Sequence, residues 1–205
     1  MTRTAHDTLL FDLGAVLVDW NPRYLYREYF GGDVAAMERF LSEVCSPEWI
    51  RSMDAGKPVQ QAIAERSRRY PAYAGLIALW ATHWETMLRG ALDETVDILG
   101  ELRARGARLF ALTNWSAENF PIAFRRFDFL RWFEDIVVSG EVGVVKPDPR
   151  IYRLAIERCR LNPPRTVFID DSAENVAGGR RAGLHALHFL GPAQLRSDLQ
   201  SLGLL

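Results

Sequence analysis

The chain has 205 residues, enough to bury a full core as one domain with a large insertion or as two small domains. With 48% hydrophobic and 25% charged residues it reads as globular, and a net charge of -1 without long single-sign runs excludes the basic footprint of a nucleic-acid or anionic-membrane binder. The longest apolar runs, such as "LLF" and "VFI", fall far short of the ~18 residues of a membrane span, and "MTRTAHD" lacks a signal-peptide core, so a cytoplasmic location is expected. Cys45 and Cys159 are expected to be buried free thiols, and no Cys/His spacing suggests a metal site.

In chain order, "TLLFDLGAVLV" is a buried strand interrupted by a turn. From Asn21 to about Leu92 helical patterns take over, as in Val34, Met37, Leu41 and Val44, with breaks at "FGGD", "DAGKP" and "RYPAYAG". Four of the six tryptophans, Trp20, Trp49, Trp80 and Trp84, lie here or at its entrance. Then strand and helix alternate. "ETVDILGELRARG" is a helix with Val96, Leu99 and Leu102 on one face, closed at Gly106, and "ARLFALTN" is a strand. "EDIVVSGEVG" reads as a strand and loop, after which Asp148 caps a helix whose first residue is Pro149. "RTVFIDD" is a strand, "AENVAGGRRAG" a short helix, "LHALHFL" the last strand and "PAQLRSDLQSLG" a terminal helix. Short strands separated by helices predict an α/β fold, a Rossmann-like three-layer parallel-sheet core carrying an inserted all-helical cap. The expected boundaries are 1–19 and 93–205 for the core and 20–92 for the cap.

Ligands of open parallel sheets bind beyond the carboxyl ends of the strands. Those ends carry Asp12, then Thr113 and Asn114, then Lys146 on the following loop, then Asp170 and Asp171. Three carboxylates at one edge repel each other and are costly to desolvate, which calls for a cation, and hard oxygen ligands suit Mg²⁺. A lysine among them suits a phosphate. Taken singly, each residue has an ordinary explanation as a turn former, a helix cap or a solvated lysine. Their arrival at four successive strand ends assembles the ingredients of phosphoryl transfer: nucleophile, polar donors, cation and metal ligands.

"FDLGAVLVDWNP", "LTNWS", "GVVKPDPRIY" and "FIDDSAENVAGGRRAG" resemble, in order, the four motifs of the haloacid dehalogenase-like (HAD) superfamily. The helical insertion resembles the cap of its subfamily I, and the first motif resembles that of bacterial sugar phosphatases acting on glucose 1-phosphate. The resemblance implies that Asp12 is the nucleophile and that Thr113 and Asn114 hold the phosphoryl oxygens. It also implies that Lys146 neutralises charge and that Asp171 and Asp170 serve Mg²⁺ with Asp12 and the Gly14 main-chain carbonyl. Asp171 is the expected direct ligand, with Asp170 as second ligand or as its support. A small phosphate ester, with a sugar phosphate favoured, is the implied substrate, cleaved through an aspartyl phosphate.

Other readings stay open. Dehalogenases of the same plan carry serine and asparagine around the fourth motif, where this chain has "IDDS". A phosphoglucomutase needs the acid/base aspartate whose place Gly14 occupies, and a phosphate-binding protein without turnover is a further alternative. A signalling receiver places its acidic pair on the first strand and lacks a cap. Candidates for the missing proton transfer or for substrate contact are Asp19, Trp20, Asn21, Arg23 and, on "MDAGKP", Asp54 or Lys57. Asp19 also suits a helix or turn cap, Trp20 interdomain packing, Arg23 a surface ion pair and Lys57 a solvated loop tip. The sequence offers no heptad seam from which to read an oligomeric state.

Overall fold

The computed structural model describes residues 6–205. Strand β1 (Thr8–Phe11) is followed by a turn and β2 (Val18–Trp20). The insertion then supplies α1 (Arg23–Tyr29), α2 (Val34–Arg39), α3 (Pro47–Asp54), α4 (Val59–Arg69) and α5 (Ala74–Thr82), ending in β3 (Leu88–Ala91). The core resumes with α6 (Asp93–Ala104), β4 (Arg108–Thr113), α7 (Phe120–Arg126), β5 (Asp135–Val138) and the single turn α8 (Ser139–Val142). It closes with α9 (Pro149–Arg158), β6 (Thr166–Asp170), α10 (Ala173–Arg181), β7 (His185–His188) and α11 (Pro192–Ser201).

The five core strands form a wholly parallel sheet in the order β5-β4-β1-β6-β7. Strand β1 is central and has no solvent-facing side, which explains its uninterrupted apolar run. Leu9 and Phe11 point to one face, packed with Ile98, Leu99 and Leu102 of α6 and Leu195 and Leu199 of α11. Leu10 points to the other, with Ile151, Tyr152 and Ala155 of α9 and Val176 of α10. This is the expected three-layer α/β core. No helix among the described residues is long and apolar enough to cross a membrane.

The expected helix ends are largely as read. Asp148 accepts from the Arg150 N–H with Pro149 in the first turn, and Gly106 takes a left-handed φ of +80° just past α6. Cys45 and Cys159 are buried free thiols.

Three expectations need correction. The insertion is not all-helical: Leu88–Ala91 pairs antiparallel with Val18–Trp20 in a two-stranded ribbon at the join between cap and core. "LRGA" has no β-branched residue, and its strand geometry comes from its partner rather than from its own propensity. The pattern from Val34 to Val44 is not one helix, because α2 gives way to a π-helical turn over Phe40–Val44. Phe40, Leu41 and Val44 are buried there, while Val34 stays 59% exposed. The loop after β5 is the helical turn α8, ended by Gly143 at φ +71°.

Gly140 marks a close approach of core segments: a Cβ there would lie 2.7 Å from the Trp115 carbonyl oxygen. Gly140→Ala is expected to destabilise by about 2 kcal/mol or more, because backbone cannot give way. Gly100→Ala, within α6 and at least 3.6 Å from its nearest neighbour, should stabilise by about 0.5–1 kcal/mol. Urea unfolding of the two variants checks both signs.

Candidate active site

Strand β1 delivers Asp12 at its carboxyl end, where the Asp12 N–H still bonds the Ile169 carbonyl of β6 at 2.8 Å. The chain then reverses. The Val18 N–H bonds the Leu13 carbonyl and the Ala15 N–H bonds the Val18 carbonyl, both at 2.9 Å, with Ala15 at φ +58°. Leu13, Val16 and Leu17 anchor the turn, each fully buried. These bonds flank Gly14 and use neither of its own main-chain groups, leaving its carbonyl available at the turn's tip.

The centre of the site is a fully buried lysine. Lys146 Nζ lies 2.9 Å from Asp12 Oδ1, 2.7 Å from Asp170 Oδ2 and 2.8 Å from the Leu112 carbonyl. Burial alone would lower its pKa, but the two carboxylates outweigh that and raise it, so the ammonium form holds. Burial also pushes Asp12 up to about 7, against the opposing pull of Lys146 and with Asp170 adding to the rise. Asp170 is completely held: the Ser172 N–H and Asn175 Nδ2 bond Oδ1 at 2.9 and 3.0 Å while Lys146 takes Oδ2. Asp171 is the more exposed of the pair, its carboxyl raised by burial and then by Asp170. Asp12, Asp170 and Asp171 each offer an oxygen, all within 4.8 Å of one another. That set of hard donors could hold a divalent cation.

Thr113 ends β4 and is 1% exposed. The Asn114 side chain does something the sequence did not suggest: Oδ1 accepts from the Lys146 N–H at 2.8 Å and Nδ2 donates to the Lys146 carbonyl at 3.1 Å. It fixes the lysine's backbone from both sides.

The cap is docked on this edge. Arg51 of α3 donates to the Lys146 carbonyl at 3.0 Å, the Ser139 hydroxyl donates to the Asp54 carbonyl at 2.6 Å, and Glu118 accepts from the Val59 N–H at 2.9 Å. Between cap and core lies an apolar cavity of about 80 Å³, walled by Trp20, Trp80, Trp84 and Trp115 and reached by Gly14, Asp54 and Asn114. The indole N–H groups of Trp20, Trp80 and Trp115 are buried without a partner. A wider groove of about 460 Å³ shares Trp20, Asp54 and Asn114 with it and adds Arg23, Arg51 and Glu48.

Several candidates fall elsewhere. The Tyr24 hydroxyl lies 2.9 Å from both Asp19 oxygens, so Asp19 braces β2 against α1. Asn21 accepts from the Arg23 N–H, and Arg23 pairs with both oxygens of Glu38 at the outer groove. Lys57 pairs with Glu65 at 2.8 Å, away from the carboxylates. Arg51, Trp115 and Ser139 were missed. Trp115 had a readable signal in following "LTN" at a strand end, whereas nothing in the sequence around Arg51 points across to Lys146.

The family model "haloacid dehalogenase-like hydrolase" matches residues 6–183, and the chain belongs to that family. It is 34% identical over 201 residues to a phosphorylated carbohydrates phosphatase of Thermotoga maritima, covering 89% of this chain and 84% of that protein. It is 25% identical over 194 residues to the sesquiterpene phosphatase astK of Aspergillus oryzae, covering 91% of each. Other curated relatives are matched over about half their length or less, one over only 10%. Among solved structures, the HAD family enzyme bt-2542 of Bacteroides thetaiotaomicron superposes with a TM-score of 0.70 at 20% identity, covering 90% of this chain and 93% of that one. That enzyme has also been crystallised with magnesium and inorganic phosphate.

Removing the central cation tests the electrostatics. Lys146→Met leaves buried Asp12 and Asp170 without their counter-charge and should cost about 3–5 kcal/mol at pH 8. The Asp12 carboxyl pKa is raised by burial in the folded state, so its protonation relieves the cost and the loss shrinks toward pH 5. Urea unfolding at the two pH values measures it, and equal losses would contradict the assignment.

Proposed function

We propose that the chain is a Mg²⁺-dependent phosphatase of small phosphate esters, working through a phosphorylated Asp12. The observation that carries this reading is the buried Lys146 ammonium set between Asp12 and Asp170, with Asp171 beside them. A phosphoryl group brought there meets a carboxylate nucleophile already ionisable near neutrality. Asp12 attacks phosphorus in line while Lys146, the Thr113 hydroxyl and the Asn114 N–H gather the non-bridging oxygens. Mg²⁺ at the Asp12, Asp171 and Gly14 carbonyl oxygens, with Asp170 as support, would supply further charge neutralisation. Water then releases phosphate from Asp12. Two adjacent carboxylates beside the nucleophile suit a metal and would repel a haloacid's carboxylate, which disfavours dehalogenation.

A sugar phosphate is the favoured substrate class. Aromatic walls with indole N–H groups that lack partners suit the C–H faces and oxygens of a compact sugar or polyol. The Thermotoga maritima relative, named for phosphorylated carbohydrates, supports the same class.

With p-nitrophenyl phosphate the protein should release p-nitrophenol only in the presence of Mg²⁺, and Asp12→Asn should abolish release. No phosphate from a broad panel of sugar and nucleotide phosphates at any pH would leave a binding protein without turnover. Metal binding has its own signature. Because burial raises Asp12 to about 7, Mg²⁺ must displace a proton at pH 5.5 but scarcely at pH 8. Thermal melting should therefore show a larger Mg²⁺-induced rise in Tm at pH 8, and a rise at neither pH would remove the metal from the mechanism.

A further inference from the structure

Phosphate transfer to Asp12 leaves two proton tasks without an owner: the leaving oxygen must gain one, and the attacking water must lose one. The turn at Gly14 carries no side chain for either. A Cβ built there would meet nothing within 4 Å, so the room beside the nucleophile turn is open and faces the tryptophan-walled cavity. One carboxylate lines that cavity from the other side, Asp54 at the end of α3.

Resting on the phosphatase reading above, we propose that Asp54 is a catalytic residue, carrying the proton between the leaving alcohol and the hydrolytic water in place of the carboxylate absent at Gly14. In the first step an Asp12 oxygen bonds phosphorus, the bond from phosphorus to the ester oxygen breaks, and the Asp54 carboxyl proton passes to that oxygen. In the second, the Asp54 carboxylate takes a proton from water. The water oxygen bonds phosphorus, the bond to Asp12 breaks, phosphate leaves, and Asp54 is protonated again.

Three further observations support the assignment. First, Asp54 is held against the core: its carbonyl accepts from the buried Ser139 hydroxyl at 2.6 Å, and the Ser116 main chain faces its carboxylate and opposes the rise of its pKa. Second, its position makes no sense as a stabilising one. A carboxylate in the last turn of a helix opposes the helix dipole, and burial adds a desolvation cost. Third, that burial pushes Asp54 up to about 7, against the Ser116 N–H and Arg51, which suits a group that must both give and take a proton near neutrality. The charged groups around it are Glu48 and Arg51 on its own helix and, across the outer groove, Arg23; the core side presents neutral Asn114, Ser116 and Asn119. Asp19, the other carboxylate considered for proton transfer, accepts a hydrogen bond from Tyr24 and lines neither the cavity nor the groove.

The test is steady-state and burst kinetics of the full chain with Mg²⁺, using phenyl phosphate, whose leaving group needs a proton, and 2,4-dinitrophenyl phosphate, whose leaving group does not. Asp54→Asn should lose about 100-fold or more in kcat/KM on phenyl phosphate and less than about threefold on the dinitrophenyl ester. Its kcat on the dinitrophenyl ester should fall, with a burst of one dinitrophenolate per chain, as phosphorylated Asp12 waits for its water. Equal losses of kcat/KM on both esters, or no loss on either, overturn the assignment. Adding Gly14→Asp to the Asp54→Asn variant should restore at least tenfold of the phenyl phosphate activity; a double variant no better than Asp54→Asn counts against the proposal. Wild-type protein that cleaves neither ester fails the phosphatase reading and this inference with it. Active wild type matched by Asp54→Asn fails the inference alone.

Discussion

The site depends on a single buried cation. Lys146 has no exposed side-chain surface, yet its ammonium meets two carboxylates within 3 Å and a main-chain carbonyl. Taking ions out of water costs several kcal/mol each. Each contact returns on the order of 5 kcal/mol at an effective dielectric constant near 20, so the cluster is close to balance only as a unit. Asn114 and Arg51 serve it indirectly, by pinning the lysine's own peptide groups. Fully ionised, Asp12, Asp170 and Asp171 carry three negative charges against one positive, leaving two negative charges. A divalent cation would cancel that remainder before a phosphate dianion arrived, which is the electrostatic logic of the proposed metal and substrate class.

The same lysine ties chemistry to the cap. Arg51 reaches from α3 to the Lys146 carbonyl, and Ser139, fully buried at the end of β5, links the Trp115 loop to the Asp54 carbonyl. These polar contacts are few and replaceable by water, whereas the tryptophans beside them bury large apolar area. Trp84 of the cap packs against Trp115 of the core, with ring centroids 5.9 Å apart. Aromatic burial thus works with main-chain hydrogen bonds in docking the cap on the core.

Much of this was legible in the sequence because it rests on short-range rules. Strands β1, β4 and β6 announce themselves as apolar runs since both their faces are buried, and each ends at the residue that matters: Asp12, Thr113 and Asp170. Asp148 and Pro149 mark the start of α9 by capping chemistry alone. What the sequence hid is long-range. Strand β3 exists through its pairing with Val18–Trp20, which lies some seventy residues earlier in the chain. The peptide-clamping role of the Asn114 side chain is defined only by where Lys146 ends up. Asp54, the last residue of α3, and Lys57 stand three residues apart, and only docking shows that the lysine turns outward to Glu65 while the aspartate turns toward the cavity.

Moving the acid/base from the nucleophile turn to the cap has a structural consequence. A carboxylate on the turn beside Asp12 would sit permanently among three others and add to their repulsion. Gly14 removes that charge, keeps the main-chain carbonyl for the metal, and opens room for the leaving group. With Asp54 as the proton carrier, the fourth carboxylate comes from the docked cap, which Ser139 and Arg51 hold against the core. The glycine that reads as a defect in the sequence then leaves the room that this cap carboxylate serves from the other side of the cavity.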